Sequence, residues 1–70
     1  MPYVVKWILV GENKNRESPE AYRDASQAID FACTVLKQKP ASIWIDGPAG
    51  ARIERSVIVL NCEARRSVFR

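Results

Sequence analysis

The stretch Ser18 to Lys39, SPEAYRDASQAIDFACTVLKQK, limits what this chain can fold into more than any other part, because it carries a helical signal between β-rich segments. Ser18-Pro19-Glu20 reads as a helix start. A serine hydroxyl accepts from an orphan backbone N–H, proline fits the first helical position, and glutamate suits the positive end of the helix dipole. Ala21, Ala25, Ala28, Ile29, Ala32 and Leu36 then recur at helical spacing, and Pro40 ends the run. A second start lies near Ala25, where Asp24 and Gln27 have capping-box spacing. The longer helix from Pro19 is the preferred reading, because Ala21 and Ala25 continue the stripe in phase. Phe31, Cys33 and Val35 widen the apolar surface beyond one narrow stripe, which calls for contacts on two sides.

Around this helix the chain reads as strands. Residues 3–10, YVVKWILV, are β-branched and aromatic, and the polar loop GENKNRE follows them. Residues 41–46, ASIWID, form a second strand, Gly47-Pro48-Ala49-Gly50 a hairpin turn, and residues 51–60, ARIERSVIVL, a third strand. The predicted fold is α+β, ordered β-α-β-β, with one helix packed on one face of a three-stranded sheet. Residues 1–61 make a single domain, and residues 62–70 are a basic C-terminal tail that extends the strand, forms a short helix or frays.

Seventy residues bury only about 60% of their unfolded surface, so a staple or a partner is needed for more than marginal stability. One helix covers one face of a sheet. If Ile43 and Ile45 face it, Trp44 faces away, and the open face becomes a large apolar patch. A homo-oligomer through that face, with a dimer favoured, is the main physical expectation. Trp7, Trp44, Ile58 and Leu60 are the interface or ligand candidates.

The chemistry-bearing residues are sparse. Histidine is absent, which removes the commonest general acid–base group and nitrogen metal ligand. Cys33 and Cys62 lack the spacing of a zinc site and are expected to be reduced, packing-type thiols. The acidic residues are dispersed, and the Gly47–Gly50 turn has neither the length nor the lysine of a phosphate loop. No catalytic residue, metal or cofactor is expected, and the chain reads as non-enzymatic. MPYVVKWILV has no basic segment before its apolar run, and no apolar run nears the roughly 20 residues of a membrane span, so a cytoplasmic protein with no membrane partner is expected.

One asymmetry remains. Residues 1–50 carry six basic and six acidic side chains, and the whole surplus of +3 sits in the last twenty residues, all of it arginine. Arg52, Arg65, Arg66 and Arg70 are the candidates for phosphate contact, which makes a nucleic-acid-contacting accessory protein the alternative function.

Two resemblances extend this reading. Ala25, Ala28 and Ala32, then Ile43-Trp44-Ile45-Asp46 and Gly50 to Ile53, resemble the pattern of short uncharacterised bacterial proteins with an Ala-rich helix followed by a strand, a turn and a strand. That likeness covers about half the chain and implies a small α+β fold with no known activity. Val10-Gly11, followed by Ser18-Pro19-Glu20, Tyr22, Asp24 and Ala25, is similar to the first strand end and helix start of dodecin, a small flavin-storing β-α-β-β protein. The dodecin likeness implies an oligomer, and a flat, flavin-type cofactor stacked on tryptophan as a further alternative. The chain departs from dodecin in its longer loop before the helix, in placing Trp44 inside the second strand, and in lacking the glutamine that contacts flavin.

Overall fold

A computed structural model describes residues 2–68, with side chains described as far as Arg65. Its elements are β1 (Val4–Ile8), β2 (Arg16–Glu17), α1 (Ala25–Leu36), β3 (Ser42–Asp46), β4 (Arg52–Ile53) and α2 (Arg55–Val68), with a 3-10 turn at Pro48–Gly50. The class is α+β. The strands form an antiparallel sheet in the order β2-β1-β3-β4. Three features differ from the expected β-α-β-β arrangement: β2 is added, the first helix starts later, and a second helix replaces most of the third strand.

The polar loop returns along β1 because Gly11 sits at φ +86°, the left-handed conformation that the turn from Leu9 to Glu12 requires. Glu17 then pairs with Lys6, and Arg16 with Trp7. Ser18 continues this ladder: its N–H donates to the Val5 carbonyl at 2.8 Å, and its hydroxyl accepts the Val5 N–H at 3.3 Å. The same hydroxyl donates to the Glu20 carbonyl at 2.7 Å. Tyr22 and Tyr3 exchange backbone hydrogen bonds at 2.6 and 2.8 Å. These pairings hold residues 18–22 against β1, so the longer helix from Pro19 does not form. α1 begins at Ala25 after Asp24, whose carbonyl accepts the Ala28 N–H at 3.2 Å. Ser18-Pro19-Glu20 is a strand end and turn. Long-range pairing outweighed a local capping signal that is worth only about 1 kcal/mol.

α1 buries Ala28, Ile29, Ala32 and Val35 against Val5 and Trp7 of β1 and Ile43 and Ile45 of β3. Each fully buried large apolar side chain contributes about 1.5–3 kcal/mol. Alanine at positions 28 and 32 lets the helix sit close on the sheet.

The expected strand at residues 51–60 is overturned. Only Arg52–Ile53 pair with β3, and the chain then turns into α2, where the Glu54 carbonyl accepts the N–H groups of Val57 and Ile58 at 3.1 Å. α2 runs through the boundary placed at residue 61. The β-branched run Val57-Ile58-Val59 has strand propensity, but propensity is a weak prior that packing overrides. As a helix, the segment puts Ile58 and Cys62 on one side, four residues apart; Ile58 is fully buried beneath it, on the face of the sheet that α1 also covers. Both helices therefore cover one face.

α2 also brings Cys62 to α1, and the expectation of two reduced thiols is overturned. Cys33 and Cys62 form a disulfide, with Cα atoms 5.7 Å apart and a sequence separation of 29. Closing a loop of that size stabilises the fold by about 3–4 kcal/mol in the chain-entropy account. One turn further on, Arg65 pairs with the Asp30 carboxylate and donates to the Ser26 carbonyl and hydroxyl at 3.0 and 2.9 Å. An exposed ion pair of this kind adds less than about 1 kcal/mol. Among the described residues, no helix is long and apolar enough to cross a membrane.

Candidate functional site

With both helices on one side, no described element covers the other face of the sheet. Strand alternation and cross-strand pairing place on it Val4, Lys6 and Ile8 from β1, Glu17 from β2, Ser42, Trp44 and Asp46 from β3, and Arg52 from β4. Trp44 lies opposite Lys6 on the central pair of strands, and Asp46 lies between Val4 and Arg52. Trp44, Val4 and Ile8 are half-buried.

A chain of charges crosses this face. Lys6 Nζ lies 3.1 Å from Asp46 and 3.5 Å from Glu17. Arg52 Nε lies 3.4 Å from Asp46, and its guanidinium carbon sits 5.4 Å from the centre of the Trp44 ring, within cation–π range. Asp46 thus meets two cations. Partial burial pushes its carboxyl up, but the hydrogen bond and charge of Lys6, helped by Trp44 and Arg52, outweigh that and hold it below the usual carboxylate range. Lys6 is raised in turn, chiefly by its hydrogen bond to Asp46. The Trp44 indole N–H is covered and makes no hydrogen bond of good geometry, although it is close enough to favour the ionised Asp46. Two cations and two carboxylates balance, so the face is bipolar rather than basic.

Where β4 stops, a cleft of about 240 Å³ opens beside Trp44, lined by Ala41, Ser42, Ile43, Arg52, Glu54 and Arg55. Arg55 spans its base by donating to the Pro40 carbonyl at 3.1 Å. A larger concavity, about 660 Å³, lies at the loop Glu12–Arg16 and is lined, among the described residues, by that loop. Among the described residues, no three cysteine or carboxylate side chains gather into a metal-binding group.

The sequence candidates separate clearly on this frame. Trp44 occupies the open face. Trp7 does not: it is 8% exposed and packs on Phe31 of α1 with ring centres 5.7 Å apart. Ile58 is fully buried under α2, so neither Trp7 nor Ile58 can meet a partner or ligand in this fold. Leu60 is 65% exposed, but on α2, away from Trp44. Arg52 is on the open face, and Arg65 is engaged by Asp30 and Ser26. The Arg66 side chain and Arg70 lie outside the described residues. Sequence reasoning did not single out Lys6, Asp46 or Glu17. Their signal was the alternation itself, since Lys6 and Asp46 flank the same tryptophan-bearing position once β1 and β3 are paired. No protein-family model, curated protein or solved structure matches this chain.

Proposed function

We propose that this is a non-enzymatic, self-associating protein that pairs with a second copy of itself through the open face of its sheet. The observation that carries this reading is Trp44, half-buried on the open face between Val4 and Ile8, with no described element packed over it. Tryptophan in such a position is the kind of residue that anchors an interface. The charges around it favour a second copy. Lys6 and Arg52 against Glu17 and Asp46 let one face meet another, related by a two-fold axis, without placing like charge on like.

The disulfide relieves part of the stability problem that a chain of this size faces, so the reading rests on the uncovered face and not on a shortage of core. The nucleic-acid alternative has less support, because Arg52 and Arg65 are each already paired with a carboxylate. Stacking of a flat cofactor has less support too, because Arg52 already lies over the Trp44 ring. A cytoplasmic setting belongs to the proposal, and cell fractionation tests it.

Sedimentation equilibrium at high micromolar concentration tests the association. The expected mass is twice the 7.9 kDa of the chain, falling to a single chain for Trp44→Glu, while Leu60→Ser leaves the dimer intact. A wild-type protein that sediments as a monomer overturns the reading.

A further inference from the structure

The two halves of α2 are held in different ways. Its first turn is seated by Ile58, which is fully buried, and by Arg55, whose guanidinium donates to the Pro40 carbonyl. Beyond Ile58, the described side chain that packs on the core is Cys62, whose sulfur is bonded to Cys33 of α1. Arg65, three residues later, adds the exposed pair with Asp30 and the bonds to Ser26. Leu60 is 65% exposed, and the Asn61 side chain bonds back to the Val57 carbonyl within the helix. Among the described residues, the docking of α2 onto α1 between positions 59 and 65 therefore depends on one covalent bond and on Arg65, through its surface ion pair with Asp30 and its hydrogen bonds to Ser26.

We propose that the Cys33–Cys62 disulfide is a redox clamp: oxidised, it docks the C-terminal part of α2 on α1, and reduced by a dithiol, it releases that part while the sheet, α1 and the first turn of α2 stay folded. Release follows from helix physics. An isolated helix shorter than about 12–15 residues is marginal in water, and α2 has 14 residues in all. By contrast, α1 keeps four buried side chains on the sheet whether or not the bond exists.

Both cysteines sit at the edge of the core and are only partly buried, which leaves the bond open to an incoming thiolate. It attacks one sulfur, forms a mixed disulfide and expels the other sulfur as a thiolate. The second thiol of the dithiol then resolves the mixed disulfide. Two electrons and two protons pass to Cys33 and Cys62, and the reductant leaves as its own disulfide. The clamp lies on the helical side of the sheet, opposite Trp44, so this proposal and the self-association reading fail separately.

Hydrogen–deuterium exchange on the full chain tests it: oxidised, after dithiothreitol, and after reoxidation with oxidised glutathione. Amides of residues 59–65 are expected to lose protection by about tenfold or more on reduction and to recover on reoxidation, while those of β1, β3 and α1 are unchanged. The double variant Cys33→Ala/Cys62→Ala is expected to show the reduced pattern without any reductant. Loss of protection in the sheet along with α2, in reduced wild type, overturns the proposal in favour of a staple for the whole fold. Unchanged protection at 59–65, or a bond that dithiothreitol does not reduce, overturns it as well.

Discussion

Trp7 and Trp44 are the same residue on adjacent strands, one register step apart, and they have opposite surroundings. Trp7 lies opposite Ile43 on the face that both helices cover, against the Phe31 ring. Trp44 lies opposite Lys6 on the bare face, with Arg52 over its ring and Asp46 beside it. The covered face is held by apolar area and the open face by a line of exposed charges. Because successive residues of a strand point to opposite sides, one sheet can devote one face to stability and keep the other for recognition.

The sharpest way to break this comparison is to truncate both tryptophans. Trp7→Ala should cost about 3–5 kcal/mol, read by urea unfolding, because it empties a packed site. Trp44→Ala should cost about 1 kcal/mol at low micromolar concentration, since part of its surface is already in water. Equal losses would mean that the open face is a second core. Next in size is the clamp on the covered side: Cys33→Ala should lower stability by about 2–4 kcal/mol without changing the sheet.

The smallest effect belongs to the charges of the open face. The Asp46 carboxyl is held below the ordinary aspartate value of 3.8, so its stabilising contribution is present above that pH and is lost as pH falls through the lowered value. Asp46→Asn should therefore flatten the acid limb of a stability–pH curve, with less than about 1 kcal/mol lost at pH 7, as suits an exposed pair. An unchanged acid limb would show that Lys6 and Arg52 gain nothing from Asp46. Across all four substitutions, the expected loss follows which face a residue occupies rather than which residue it is.

Much of the covered face was legible in the sequence. Ala28, Ile29 and Ala32 recur at helical spacing, and Ile43 and Ile45 alternate around Trp44, so the α1-on-sheet layer and the outward direction of Trp44 follow from periodicity. The open face was half legible: Trp44 stood out, but Lys6, Glu17, Asp46 and Arg52 became a set only once the register paired them. The first half of α2 was not legible, because Val57-Ile58-Val59 fits a strand as well as one turn of a helix; for residues 62–70 a short helix was one of three open readings. A fainter signal was present in Ile58 and Cys62, four residues apart.

The sequence by itself determined the α+β class, the helix between the two apolar strands, and those strands themselves, all of which depend on neighbours a few residues away. Only the tertiary structure decided the rest. Pairing of Ser18 with Val5 and Tyr22 with Tyr3 delayed the helix to Ala25. Burial of Ile58 turned a β-branched run into α2, and α2 carried Cys62 to Cys33 across 29 residues. Each of these outcomes is a contact between distant parts of the chain. Such contacts form only when the whole core assembles, and they then outweigh local preferences worth about 1 kcal/mol or less per residue.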